Sequence, residues 1–309
     1  MTSHHNTKVS TGHLLALFTI LIWGTTFVST KVLLIDFTPV EILFFRFLIG
    51  YLILLLIYPR SLRIASFREE WLFIGAGLCG VTLYFLIENV ALVYTTASNV
   101  GVIVSIAPFF TAVLAHFFLD GEKLTRRFII GFGIALSGII LIALNGSFVL
   151  QLNPVGDLLA CIAPAVWAIY SVLMRKIGEL PYHTIGATRK VFFYGLVLML
   201  PALLLSDFHL ELGRFKNMTN LSNFLYLGLG ASALCFVTWN RTVSLLGAIK
   251  ASVYIYLVPV ITVVSSAIIL REQITWVILL GAFLTLFGSY ISERTANKLN
   301  NKNTIPRSG

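Results

Sequence analysis

The chain of 309 residues is 58% hydrophobic and only 11% charged, with a mean hydropathy of +0.91. Soluble domains carry about 25% charged residues, so this composition excludes a soluble fold and indicates a protein whose solvent is lipid. The net charge of +9 comes from short basic clusters between apolar runs, which argues against a nucleic-acid groove. The three cysteines lie inside apolar segments and predict neither a disulfide framework nor a metal site, and we expect no cofactor.

Ten apolar segments of about spanning length follow one another along the chain. A spanning helix needs about 20 apolar residues, so ten helices joined by short loops fit this length. The sequence therefore predicts an all-α integral membrane protein with N-terminal and C-terminal tails over 1–12 and 293–309. The first helix is expected to be retained and not cleaved as a signal peptide. The predicted helices are 13–35, 41–58, 71–93, 97–119, 126–144, 157–176, 187–205, 222–246, 249–270 and 275–292.

Lysine and arginine residues are distributed unevenly between alternate loops. If the N-terminus lies in the cytoplasm, seventeen of them fall on the cytoplasmic side and four on the outer side, while Arg46 lies within the second helix. Basic residues resist translocation, so this asymmetry predicts an even number of helices with both termini in the cytoplasm. We expect a multi-pass protein of the plasma (inner) membrane.

The second half of the chain repeats the first at an offset of about 150 positions. Pro108 and Pro259, for example, are 151 positions apart. A recurrence at a long, fixed offset indicates one structural unit used twice. With five helices in each half, the halves enter the membrane from opposite sides, which predicts two inverted repeats and a site near the bilayer midplane. The predicted repeats span 13–144 and 157–292.

The motifs of both halves resemble the EamA unit of the drug/metabolite transporter superfamily. Asn-x-Ala-Leu ends the third helix at Asn89, Pro-Phe follows at Pro108, and a Gly-Glu-Lys-Leu-Thr loop holds Glu122. The second half matches through WNRTVSLLGAIKASVYIYLVP and REQIT. This resemblance covers about residues 14–292. It implies a ten-helix carrier that exports small metabolites, often amino acids or related compounds.

Polar side chains within the predicted helices are candidates for a substrate site, because a charge at a helix centre costs about 2.5 to 3.5 kcal/mol on insertion scales. Glu88 lies in the third helix, and Tyr84 one turn earlier shares its face. A carboxylate there predicts binding of a substrate ammonium group or a proton; the alternative is an interfacial acid that reaches outer water. The equivalent positions of Glu88 and Asn89 in the second half are Trp239 and Asn240.

Two tryptophans, Trp23 and Trp167, occupy matching depths near mid-membrane, away from the interfacial belts where tryptophan collects. Such rings either pack as core or line a cavity, and we favour lining. In the ninth helix Tyr256, which aligns with Ser105, is favoured over Tyr254 because only one of the two tyrosines can face a cavity. The full set of predicted substrate-binding residues is Trp23, Thr26, Tyr84, Glu88, Asn89, Trp167, Tyr170, Trp239, Asn240 and Tyr256.

Prolines and a deep arginine interrupt the otherwise apolar helices. Pro108 and Pro259 each remove a backbone donor and bend a helix, so we predict hinges there, with static bends as the alternative. Arg46 is predicted to pair either with Glu41 near the outer surface or with a group across the bundle. Small residues are expected to let helices approach closely, at Gly131, Gly138, Gly281 and Gly288.

These features favour an exporter of small metabolites such as amino acids or related amphiphilic compounds, working by alternating access as a monomer or homodimer, with protons as a candidate coupling ion. A multidrug or other permease of the same superfamily is the alternative within transport. An intramembrane enzyme would need clustered catalytic groups, and the sequence offers isolated candidates. A channel or receptor fits the two-fold repeat less well. The scarcity of deep cations favours a neutral, zwitterionic or cationic substrate.

Overall fold

A computed structural model describes residues 2–95, 97–143, 154–206, 208, 211–269 and 275–303. Over these residues the chain folds into ten helices and contains no strand, which confirms the all-α fold. The last helix continues beyond the predicted end at residue 292. The helices are α1 Thr2–Leu33, α2 Pro39–Ile57, α3 Phe67–Tyr94, α4 97–118, α5 Arg126–Ala143, α6 Pro154–Gly178, α7 Thr184–Leu205, α8 Met218–Leu246, α9 Ala248–Ile269 and α10 Trp276–Asn303.

Most of the described helices are long and apolar enough to cross a membrane. By length and composition, seven spans qualify within the described part of the chain: they belong to α1, α2, α3, α6, α7, α8 and α9. Shorter apolar helices cover Ala107–Phe118 in α4 and Leu279–Ser292 in α10. The outer faces carry large exposed apolar side chains, for instance Leu204 and Trp276. Since such surface would be costly in water, the molecule is a multi-pass membrane protein.

The connection between α7 and α8 is anchored to the start of α2. Thr38 and Glu41 form a capping box, in which the Glu41 carboxylate accepts the Thr38 N–H at 2.8 Å. A 3-10 turn over Leu212–Lys216 brings Arg214 to both Glu41 oxygens, at 2.8 and 3.1 Å. These hydrogen bonds raise the pKa of Arg214 above its ordinary value. Glu41 is therefore paired with Arg214, and the predicted alternative of an Arg46–Glu41 pair is wrong.

Two helices at equivalent places, α3 and α8, contain a π-helical turn. It spans Leu78–Leu83 in α3 and Tyr226–Leu234 in α8. A π turn inserts an extra residue, changes the face that later residues present, and is frequent at functional sites. In α3 the turn also holds Gly80, where a Cβ atom would lie 2.1 Å from the Tyr170 ring, so α6 packs directly on this backbone.

The helices that hold the two prolines, α4 and α9, are interrupted at equivalent positions. α4 breaks between Val104 and Ala107, and α9 narrows to a 3-10 turn over Tyr254–Leu257. Pro108 and Pro259 are each the second residue of the helical segment that follows. Proline is tolerated there because the first turn of a helix has no partner for that N–H. The helix interruptions are thus present, and the hinge motion stays a prediction.

The contact between α5 and α10 shows the relation between the two halves. A Cβ atom on Gly138 would lie 2.4 Å from the Gly281 carbonyl oxygen, and one on Gly288 would lie 2.5 Å from the Gly131 carbonyl oxygen. Because Gly131 and Gly281 are equivalent, as are Gly138 and Gly288, the same contact is made twice with the roles exchanged. Close glycine packing between these helices is confirmed, in the arrangement that two inverted copies require.

Equivalent basic residues bind the ends of α3 and α8. Lys31 donates from Nζ to the carbonyl oxygens of Leu92 and, at 3.1 Å, Thr95. Arg175, which stands at the matching place in α6, donates to the Ser244 carbonyl at 2.9 Å. A cation near the last carbonyl groups of a helix stabilises that end. The first and sixth helices therefore hold their neighbours in the same way.

Glu122, in the loop between α4 and α5, binds the start of α9. Its two carboxylate oxygens accept the N–H groups of Ala248, at 2.5 Å, and Ile249, at 2.8 Å. Arg175 lies alongside, with Nε 4.0 Å from the Glu122 carboxylate. Gly247 has a φ of 89°, and a Cβ there would lie 2.7 Å from the carboxylate. A carboxylate of the first half thus caps a helix of the second.

Candidate substrate-binding site

A small internal cavity lies between helices of both halves. Its volume is about 40 Å³, which has room for a few water molecules. This is less than a small metabolite occupies, so the cavity has to widen before it can hold one. Residues from α1, α2, α3, α4, α6 and α9 line it: Ile20, Trp23, Thr26, Phe27, Arg46, Tyr84, Phe85, Glu88, Val104, Ala107, Trp167, Ile255 and Val258.

Aromatic rings form one side of the cavity. The rings of Trp23 and Trp167 meet edge to face with centroids 5.3 Å apart, and Tyr84 lies 4.9 Å from Trp167. Trp239 lies outside the wall and packs on Trp23 at 5.2 Å. The Trp23 N–H donates to the Ala231 carbonyl at 2.9 Å, in the π turn of α8. The Trp167 N–H is buried without a hydrogen-bond partner, so the two equivalent indoles differ in the use of this donor.

Charged groups form another part of the wall. Arg46 from α2 and Glu88 from α3 are only 1% and 3% exposed. The Arg46 guanidinium lies 4.2 Å from the centre of the Phe85 ring, and Nε donates to the Ser232 hydroxyl at 3.2 Å. Its Nη1 has no hydrogen-bond partner. The Glu88 side chain lines the cavity together with Tyr84, one helical turn earlier in α3. The cavity therefore holds one buried acid and one buried base.

Three of the predicted site residues are engaged in hydrogen bonds between helices and lie outside the wall. Asn89 donates to the Pro39 carbonyl at 3.1 Å and so connects α3 with α2. The Tyr170 hydroxyl donates to the Asn240 side-chain oxygen at 2.7 Å. Asn240 in turn donates to the Thr188 hydroxyl at 2.9 Å. In this conformation the three residues connect helices around the site.

The ninth helix contributes apolar groups to the wall, and Tyr256 lies outside it. Tyr256 is fully buried, and its hydroxyl has no hydrogen-bond partner. Ile255 and Val258 line the cavity instead, at the positions equivalent to Val104 and Ala107. Tyr256 belongs to the 3-10 turn, where residues advance by about 120° instead of 100°, so a periodicity of 3.6 misplaces its face.

The structure adds Arg46 to the site. The sequence placed this arginine deep in α2, with a partner either in its own helix or across the bundle, and the second alternative holds. The signal that could have found the site is charge balance, since one buried acid and one buried base in lipid are less costly near each other than apart. Arg46 and Glu88 are the two charged residues among those that line the cavity.

The helical fold, the repeated helix sets and the cavity between them define a class, that of multi-pass membrane transporters built from two similar halves. The chain belongs to the EamA-like transporter family, which matches residues 10–144 and 154–293. The resemblance seen in the motifs is thereby confirmed. The family and its relatives are transporters, so an intramembrane enzyme is excluded.

Relatives of this chain cover nearly its whole length. It is 29% identical to an uncharacterized transporter of Archaeoglobus fulgidus, over 91% of this chain and 96% of that protein. It is 27% identical, over 81% of this chain and 82% of that protein, to a probable terminal-alkyne amino-acid exporter of Streptantibioticus cattleyicolor. A crystal structure 19% identical in sequence shares the fold, with a TM-score of 0.69 over 94% of this chain and 99% of that one.

Proposed function

We propose that the protein exports small amphiphilic metabolites, amino acids or related compounds, and that the cavity is their binding site. One observation carries the proposal: both halves contribute to a buried cavity lined by equivalent indoles, one acid and one base. A cavity with an apolar wall and a few convergent polar groups is typical of small-molecule sites. The name of the Streptantibioticus relative agrees with a substrate of the amino-acid type.

The geometry supports transport by alternating access. Inverted halves can rock against each other around a site at their junction, opening it first to one side and then to the other. The cavity of about 40 Å³ is too small for a substrate, so its walls move apart in this cycle to admit one. The interruptions before Pro108 and Pro259 lie beside cavity residues and serve as hinges in this cycle.

The charge distribution supports a location in the plasma membrane with both termini in the cytoplasm. In this orientation the capping contact of Glu122 with α9 lies at the cytoplasmic end. The repeats of the proposed exporter are 13–144 and 157–292, flanked by cytoplasmic tails. Labelling of single cysteines placed in the two tails of intact cells with an impermeant reagent tests this topology. Cysteines in both tails should remain unlabelled, and labelling of both would show that the tails lie outside the cell.

Counterflow in proteoliposomes tests the function. Vesicles loaded with one unlabelled amino acid at a time should transiently accumulate the labelled form of at least one of them, and protein-free vesicles should not. Ala107→Trp, which fills the cavity, should abolish the exchange, while Gly133→Trp, on an exposed helix face with no neighbour within 4 Å, should not. Exchange of an organic cation such as ethidium without any amino acid would favour the multidrug alternative and contradict the proposal.

A further inference from the structure

Two opposite charges share the cavity without neutralising each other directly. Arg46 and Glu88 both line the cavity and interact electrostatically. Within the described part of the chain, however, no ion pair with a nitrogen–oxygen distance of 4.0 Å or less joins them. Buried opposite charges normally reduce their desolvation cost by direct contact. Each of the two groups is therefore available to a polar group of opposite charge that enters the cavity.

The protein holds Arg46 in place by other contacts. Arg46 lies over the Phe85 ring and donates from Nε to Ser232, which leaves Nη1 without a partner. Such cation–π packing fixes the plane of the guanidinium without using its outer donors. Tyr84, one turn before Glu88 on α3, packs on Trp167 and lines the cavity beside the acid. The arginine is thus oriented and keeps an unused donor in a buried site.

We propose that Arg46 binds the carboxylate and Glu88 the ammonium group of a zwitterionic amino acid, whose side chain lies against the aliphatic wall. The inference rests on the proposed function and adds the chemistry of recognition to it. A guanidinium fits a carboxylate through two parallel hydrogen bonds, and a carboxylate is a strong acceptor for an ammonium group. Val104, Ile255 and Val258 form the aliphatic wall.

Charge balance explains why a zwitterion fits better than a singly charged compound. The empty site contains one positive and one negative group, and a zwitterion places an opposite charge on each. An amine without a carboxylate leaves Arg46 unmatched, and an acid without an ammonium group leaves Glu88 unmatched. A buried site rejects an analogue that leaves one of its polar groups without a partner.

Competition assays on two variants, each with one of the charged side chains replaced by uncharged glutamine, test the assignment. Labelled L-leucine is exchanged in proteoliposomes, with leucinamide, which lacks the carboxylate, and isocaproate, which lacks the ammonium group, as competitors. In the wild type both analogues should compete at least about ten-fold more weakly than leucine. Arg46→Gln should lower the affinity for leucine about ten-fold and leave the affinity for leucinamide unchanged. Glu88→Gln should lower the affinity for leucine by a similar factor and leave the affinity for isocaproate unchanged.

The pattern separates recognition from a structural role. If Arg46→Gln lowered the affinities for leucine and leucinamide equally, the arginine would only support the fold and the assignment would be wrong. If Arg46→Gln does not fold, Arg46→Lys serves in its place, because it keeps the charge and loses the planar guanidinium. Its affinity for leucine should lie between that of the wild type and a ten-fold weaker one. Wild-type affinity in Arg46→Lys would show that the planar group has no role in recognition. Wild-type exchange of leucinamide and isocaproate as fast as leucine refutes the inference alone. Absence of exchange of every amino acid refutes the proposed function as well.

Discussion

Trp23 and Trp167 are equivalent in the two halves, yet only one of their indole N–H groups has a partner. Trp23→Phe removes the hydrogen bond to the Ala231 carbonyl, so we expect a loss of about 1 to 2 kcal/mol of stability. Trp167→Phe removes an unpaired donor and should leave the unfolding temperature in detergent nearly unchanged while raising KM for counterflow. An equal loss of stability in both variants would contradict this division of roles.

The hydrogen bonds of Asn240 give a second prediction at this scale. Asn240→Ala removes the acceptor of the buried Tyr170 hydroxyl and the amide donor to the Thr188 hydroxyl, which keeps its own bond to the Thr184 carbonyl, at a cost of about 1 to 3 kcal/mol. We expect less folded protein and an unchanged KM, measured by unfolding in detergent and by counterflow. Thr188→Ser keeps the hydroxyl and is the control. A raised KM at full stability would instead place Asn240 in contact with the substrate.

The sequence was enough to predict site residues whose orientation is set by their spacing within one helix. Tyr84 and Glu88 both follow the π turn of α3, so their spacing of four keeps them on one face, and both line the cavity. Asn89 and Asn240 have bonding partners on other helices, which no periodicity reveals. Arg46 was recognised as deep, but its position over a ring of α3 depends on how the helices pack.

At the scale of elements, the α5–α10 contact depends on backbone approach. Gly138→Val would force a side chain against the Gly281 carbonyl, so we expect a loss of about 1 to 3 kcal/mol and a clearly lower unfolding temperature. Gly133→Val, on the same helix, meets no atom within 4 Å and is the matched control. Similar unfolding temperatures for the two variants would mean that this helix pair is not packed as described.

The cap on α9 predicts an effect on conformation. Glu122→Gln removes the charge from the hydrogen bonds to Ala248 and Ile249, which weakens a contact between the halves. If this contact holds the cytoplasmic end closed, a cysteine at Ala107 should be alkylated several-fold faster from that side, because the open state becomes more populated. The background for this assay lacks the three native cysteines.

The control for this experiment is another acid near the same arginine. Glu179→Gln removes an exposed carboxylate 3.4 Å from Arg175 that takes no part in the cap. It should leave the alkylation rate unchanged. Equal acceleration by both substitutions would show a general effect of charge loss and no role for the cap.

The helices themselves were largely predictable, because long apolar runs in lipid leave the backbone no alternative to internal hydrogen bonds. The repeat in the sequence also indicated the equivalent interruptions at Pro108 and Pro259. The π turns of α3 and α8 were not predictable, since their sequences are as apolar as the regular turns beside them. They matter because they set which side chains the following turns present.

At the scale of the whole molecule, the duplication relates the fold to the site. Equivalent tryptophans and equivalent apolar residues of α4 and α9 face one cavity, while the acid and the base both come from the first half. The sequence indicated the framework through its repeat, whereas the placement of Arg46 and Glu88 on the wall of one cavity depends on the packing of α2 against α3.

The most direct test of alternating access is alkylation of a cysteine at Ala107 from each side of the membrane during counterflow. The cavity should be reachable in turn from both sides, so a bulky impermeant maleimide added on either side should label the cysteine and stop exchange. A cysteine at Gly133 should have no effect on transport when labelled. Labelling from one side only, with exchange continuing at the wild-type rate, would contradict transport through this cavity.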